Sequence, residues 1–362
     1  MKIYTIILLL ITQSLFTSGC NPSESAIQVP AIETFGFIYN DNQIIWGEID
    51  QQTHTITVKN ISTDNVIQGV KYTLTPNSTL SPLPESLIGK LNPHTTFTVR
   101  NNKEEVTYIL LLPDWNKEDS ELAPNPEEWS LYWSDEFNAD TFNPTIWSKI
   151  PKGNPDWQND MAPYNELFEL KNGTLSLWGR RNTDYPEFSS NVLTGGLWTK
   201  ELKSFSAGRF DIRARFDCAQ GFWPALWLRP QHNTTNDKTE IDILEHINFE
   251  DIAHQTVHSD YTMNIDKIEL SNTVKTAIDK STWHVYSVEI HTDRVIFLID
   301  NKETYVYPKL YPAVAGQFPF PEKEYYLILS AQLGGKWAGN VNINQLPVRL
   351  EVDYIRYYKK KK

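Results

Sequence analysis

The 362 residues carry a formal net charge of −12 and are 40% hydrophobic and 12% aromatic, with 12 Trp and 17 Tyr. Such an acidic balance excludes nucleic acid as a partner, because phosphate binding needs a basic face, and leaves a neutral or weakly charged ligand. Thr, Val, Ile and Tyr recur in short runs between Asn, Asp, Pro and Gly, which predicts an all-β protein of one large domain or two.

Residues 1–19 read as an export leader: Lys2 precedes an apolar run from Ile3 to Leu10, extending to Leu15 and Phe16, too short for a comfortable membrane span. Thr17-Ser18-Gly19 then places small residues before Cys20, a pattern that resembles the bacterial lipoprotein signal. That resemblance implies lipidation of Cys20 and export to the outer membrane or cell surface of a bacterium, with contact to the membrane through the lipid anchor only. Thr17 departs from the Leu most often found there, and plain secretion is the alternative. With Cys20 acylated, Cys218 is the one remaining cysteine, so no intramolecular disulfide is expected and Cys218 reads as a structural thiol.

The polar, Pro-containing residues 20–31 suit a tether. Over 32–113, runs such as Thr96-Phe97-Thr98-Val99-Arg100 and Val106-Thr107-Tyr108-Ile109-Leu110 predict a small immunoglobulin-like β-sandwich. Its pattern resembles the N-terminal modules of exported Bacteroidetes glycan-utilisation proteins, and the lack of a clustered aromatic surface favours a spacer over a sugar-binding module. Residues 114–129 are acidic and Pro-bearing and read as a linker. From 130 to 358, strand follows strand with no internal repeat and no long amphipathic helix, which predicts a large antiparallel sandwich. Lys359–Lys362 read as a frayed basic tail.

The strongest chemical signal is Thr239-Glu240-Ile241-Asp242-Ile243-Leu244-Glu245-His246. On a regular strand Glu240 and Asp242 share a face while Ile241 and Ile243 point into a core, and Glu245 falls out of phase. An extra residue at Ile243-Leu244, taken up as a β-bulge, returns Glu245 to the acidic face. The two glutamates then stand ~13 Å apart along the backbone at ~3.3 Å per residue, and their side chains can lean to a gap of roughly 5 Å. That separation suits a retaining glycosidase, with one carboxylate attacking the anomeric carbon and the other protonating the departing oxygen. Asp242 between them is expected to hydrogen-bond the nucleophile and, by its charge, to raise the pKa of the acid. A merely solvated acidic strand is the bland alternative, and the apolar alternation opposes it.

This run resembles the Glu-x-Asp-x-(x)-Glu strand of glycoside hydrolase family 16. The resemblance extends over 130–358 through Trp133-Ser134-Asp135-Glu136-Phe137-Asn138, Gly208-Arg209-Phe210, Gly221-Phe222-Trp223-Pro224-Ala225-Leu226-Trp227-Leu228, Gly334-Gly335-Lys336-Trp337 and Val352-Asp353-Tyr354-Ile355-Arg356-Tyr357-Tyr358. It implies a β-jelly roll with an open cleft, Glu240 as nucleophile and Glu245 as acid/base. The extra residue is similar to the laminarinase, agarase and carrageenase branches.

By parity, Trp223 and Trp227 share a face and could form a sugar-stacking platform, with core Trp as the alternative. His254, Thr256 and His258 form a polar face, and His258 matches a His that the family places near the acid/base. His246 points the other way, into the core. Gln332 is a weaker partner for sugar hydroxyls. The chemistry requires no cofactor; the resemblance implies at most a structural calcium held by Glu136, the backbone of Gly173 and Asp353, with ordinary surface acids as the alternative. The sugar stays open, because Asn236-Asp237-Lys238-Thr239 stands where β-1,3-glucan relatives carry Trp-Pro and Gly, and Ser330 replaces a common Asn. The expectation is therefore a monomeric endo-hydrolase of a β-linked polysaccharide, laminarinase-like on β-1,3- or mixed-linkage glucan. A β-galactanase acting on agar-type or poly-N-acetyllactosamine chains, a transglycosylase and a non-catalytic glycan-binding lipoprotein are the alternatives.

Overall fold

A computed structural model describes residues 29–361 apart from 40–42, 60, 62–66, 89–94, 113–121, 172, 233–236 and 265–269. The expected leader, Cys20 and the first half of the expected linker lie outside the described residues. No helix among the described residues is long and apolar enough to cross a membrane.

Alternation builds the N-terminal unit. In Thr96–Arg100, Phe97 and Val99 are buried while Thr96 and Thr98 are not. A sheet ordered Gln43–Trp46, Ile32–Tyr39, Ile67–Leu74 faces one ordered Glu48–Asp50, Thr55–Thr57, Glu105–Leu111, Thr96–Arg100, Thr79–Ser81. Phe35 and Phe37 of the first sheet and Phe97, Val99 and Leu110 of the second close a single core.

The second unit is a β-jelly roll of two antiparallel sheets. One is ordered Ser148–Lys149, Gly196–Trp198, Tyr325–Leu333, Phe222–Pro230, Glu240–Glu245, Ile252–His258, Thr273–Ala277. The other runs Phe168–Lys171, Thr174–Arg181, Val348–Lys360, Arg209–Phe216, His284–Ile290, Arg294–Ile299, Lys302–Pro308, with Val192–Thr194 and Trp129–Asp135 pairing off this path. Between them Leu226, Leu228, Ile241, Ile243 and Leu244 meet Phe210, Ile212, Tyr286, Val288 and Phe297. Each such fully buried side chain contributes about 1.5–3 kcal/mol, so the acidic strand is pinned by its apolar face. Arg209 is structural: buried, it bonds Asp211 at 2.7 Å, Glu289 at 2.9 Å and Asn301 at 2.9 Å. Cys218 is half-buried against this core, and burial pushes its thiol up.

Two expected boundaries are corrected. The basic run is no frayed tail: Lys359 and Lys360 end the Val348–Lys360 strand opposite Ser130 and Trp129, and Lys361 N donates to Glu128 O at 2.8 Å. Backbone pairing and the Lys359 ammonium 3.8 Å from the Tyr132 ring centre order residues whose charges alone suggested solvent. Nor are 122–129 a free linker. Asn125 accepts from the backbone N of Glu127 through its side chain and from Trp129 through its carbonyl, Asn301 binds Ala123 O, and Trp129 is buried at the start of the Trp129–Asp135 strand.

Candidate active site

The Phe222–Pro230 strand begins at Gly221, whose φ of +86° and close approach to the Val341 backbone no side chain fits. From there Phe222, Pro224, Leu226 and Leu228 enter the core, leaving Trp223, Ala225, Trp227 and Arg229 on the outer face. Glu240–Glu245 pairs with it, Leu228 opposite Ile241, Trp227 opposite Asp242, Leu226 opposite Leu244 and Ala225 opposite Glu245, so Ile243 is the additional residue. On the other side, Glu240, Asp242 and Glu245 face His258, Thr256 and His254. The same irregularity in both ladders is a β-bulge at Ile243-Leu244, both of which are fully buried. Without it Glu245 would point into the core.

Glu240, Asp242 and His258 each present a polar atom within 4.8 Å of the others. His258 Nε2 stands 3.3 Å from Asp242 Oδ2, yet that oxygen makes no hydrogen bond. Arg229 Nε lies 3.5 Å from Glu240 Oε2. Trp223 Nε1–H donates to Glu245 Oε1 at 3.0 Å. Burial, reinforced by the charge of Asp242, pushes the Glu240 carboxyl up to about 7. Burial pushes Asp242 up to about 8 against the pull of Arg229, and holds Glu245 well above the carboxylate range, with the charge of Asp242 adding to the effect. Groups this close titrate together, so the trio holds protons at neutral pH that isolated carboxylates would lose.

The other expected residues fall as follows. Trp223 is half-buried, its N–H committed to Glu245 and its ring edge-on to Trp337 at 5.2 Å. Trp227 is only 5% exposed: Trp157 meets it edge-on at 4.8 Å and its indole N–H donates to Ser330 Oγ at 3.2 Å. The two indoles thus do not form the open platform that parity suggested, because Trp157, on the short 3-10 helix Asp156–Gln158 distant in sequence, covers one of them. His258 lies beside the acids, and its Nδ1 has no hydrogen-bond partner. Gln332 sits opposite Trp223, buried, with Oε1 unbonded, so an acceptor is left facing the site. His246 is fully buried against Phe216, and burial lowers its pKa.

Sequence reasoning missed Arg229, Trp157 and Trp337, and also Tyr326 and Trp198, which pack with Trp227 and meet edge-on at 6.1 Å. Arg229 was accessible to it, since it continues the parity of Trp223 and Trp227; Trp157 and Trp337 approach on short helices, and Trp198 and Tyr326 on strands distant in sequence. His254, on the same face, bonds Glu250 at 2.7 Å and packs edge-on to Trp337, whose helix is tied by Lys336 N to Asp156 Oδ2 at 2.9 Å.

The suggested calcium set does not fit. Glu136 is buried and takes both oxygens of its carboxylate to Arg356 at 3.2 Å, and Asp353 accepts from Arg213 at 2.7 Å. Guanidinium groups occupy the place a cation needs, and neither acid joins a set of three His, Cys, Asp or Glu able to share an ion among the described residues. Gly173, at φ 73°, serves a turn between Phe168–Lys171 and Thr174–Arg181.

Comparison with known proteins returns the same fold. A beta-glucanase of Rhodothermus marinus is 29% identical over 258 residues, covering 66% of this chain and 87% of that protein. The keratan-sulfate endo-1,4-beta-galactosidase of Sphingobacterium multivorum is 28% identical over 242 residues, covering 64% of this chain but only 56% of the relative. The crystal structure of the R. marinus laminarinase superposes with a TM-score of 0.57 at 27% identity, covering 66% of this chain and all of that one. The model of the glycosyl hydrolases of family 16 matches residues 160–356, over half of the chain and including every strand of the acidic face from Gly196 onward. This protein therefore belongs to glycosyl hydrolase family 16 and is a glycosidase hydrolysing O-glycosyl bonds.

Proposed function

We propose that the chain is a retaining endo-β-glycanase with Glu240 as nucleophile and Glu245 as acid/base. The observation that carries this is the bulge, which sets both glutamates on one face with Asp242 between them, one beside Arg229 and the other on the Trp223 indole. Glu240 attacks the anomeric carbon while Glu245 gives its proton to the departing oxygen. Glu245, then ionised, takes a proton from the water that releases the sugar from Glu240, and two inversions leave the configuration unchanged. Negative charge at Asp242 raises both neighbours and so couples the two steps. NMR of the first products from a β-glucan should show the β-anomer before mutarotation. An initial α-anomer would overturn the assignment.

The substrate reading is a β-1,3- or mixed-linkage glucan, supported by the R. marinus relative. A β-galactan is the second reading, favoured by the endo-galactosidase relative and by Ser330, which is engaged by Trp227. Initial rates on laminarin, lichenan, agarose and keratan chains separate the two.

Export with an anchor at Cys20 is part of the same proposal, and it accords with a chain that acts on large polymers outside the cell. Cys20→Ala should move the protein from the membrane to the soluble fraction and end incorporation of labelled palmitate. Wild-type protein that is already soluble and unlabelled would remove this part.

A further inference from the structure

We propose that Arg229 is the counter-charge that makes Glu240, rather than Glu245, the ionised carboxylate of the site. The inference rests on the retaining reading and adds to it what decides which glutamate attacks. Three carboxyl groups on one buried face cannot all ionise together. The charged and titratable groups facing Glu240 are Asp242 and, further along, Glu245 on its own strand, His258 on Ile252–His258, Tyr326 on Tyr325–Leu333 and Arg229 on Phe222–Pro230. Of these only Arg229 is a cation at every working pH.

Its position follows from the strand. Leu228 pairs with Ile241, so the next outward residue falls beside Glu240. Arg229 Nε is buried, 3.5 Å from Glu240 Oε2, and makes no hydrogen bond. The guanidinium therefore acts on Glu240 through its charge. Six residues earlier on the same outer face, Trp223 offers Glu245 a neutral N–H at 3.0 Å, and among the described residues no ion pair reaches Glu245. One strand thus presents a cation to one glutamate and an uncharged donor to the other. The first favours a carboxylate, the second tolerates a carboxylic acid, and attack needs both forms at once. Arg229 draws the Glu240 carboxyl down against burial and the charge of Asp242, while burial and the charges of Asp242 and Glu240 hold Glu245 up.

The test is the pH dependence of kcat/KM on an uncharged β-glycan for wild type, Arg229→Gln and Arg229→Lys. In Arg229→Gln the acidic limb should move up by about one pH unit or more, the scale of losing an opposite charge at this distance. At a pH below both limbs the rate should fall about tenfold. Arg229→Lys should restore most of the shift. The limb's position does not depend on how much of a variant is folded. An unmoved limb in Arg229→Gln, an equal shift in Arg229→Lys, or an effect confined to KM for sulfated glycans would overturn the inference while leaving the retaining reading intact. Inverted product from wild type would remove both.

Discussion

Glu240→Ala is expected to lower kcat/KM by about 10⁴–10⁶-fold on every substrate, the scale on which removal of a nucleophile is felt. The loss should be the same for polysaccharides and for aryl glycosides with good leaving groups, because without Glu240 no glycosyl-enzyme forms whatever departs. The fold should survive. Ile241, Ile243 and Leu244 hold the strand in the core, and the removed carboxyl is itself disfavoured by burial, so melting temperature should stay level or rise. A folded Glu240→Ala protein with a rate within tenfold of wild type would refute the assignment. Glu240→Gln should be as inactive, since the amide matches the shape but cannot attack.

Glu245→Ala should fail in a different way. Loss of a general acid costs about 10²–10⁴-fold where the leaving group needs a proton, so polysaccharide cleavage should fall by that amount. An aryl glycoside whose phenol leaves unaided should still glycosylate Glu240, with a burst of phenolate, followed by slow turnover because no base activates water. Azide, which needs no base, should then restore turnover and give a β-glycosyl azide, the retained product. An α-azide would exchange the roles of the two glutamates. Asp242→Asn should be impaired less than either variant, because the amide keeps the place between them and loses only the coupling charge. Trp223→Phe, which removes the N–H from Glu245 while keeping an aromatic body, belongs to the same series and should affect the acid step alone.

Much of this was legible in the chain because strand periodicity is a local property. Ile241 and Ile243 alternate with Glu240 and Asp242, and the mismatch of Glu245 demands one additional residue, so the bulge at Ile243-Leu244 follows from the spacing and the need to keep acids out of a core. Parity likewise separates Trp223 and Trp227 from Phe222, Pro224 and Leu226. Parity, however, reports a side chain's face and not what lies over it. Trp227 shares a face with Trp223 but is covered by Trp157, about seventy positions earlier.

The calcium set and the tail show the same limit from the side of charge. Glu136 and Asp353 are oxygen donors by composition, but Arg356 and Arg213 reach them across strand pairings that are set by the whole sheet. Lys359 and Lys360 are a basic run until Trp129–Asp135 supplies a partner strand more than two hundred positions away in sequence. The sequence by itself therefore determined the β-architecture, the acidic strand, its bulge and the chemistry of its carboxyls, since these depend on residues within a few positions of one another. The tertiary structure decided the surroundings: which carboxyl has a cation, which an indole, and which aromatic rings stay open. Those contacts join strands and loops far apart in the chain, and burial between them, absent from any local pattern, sets the protonation of the site.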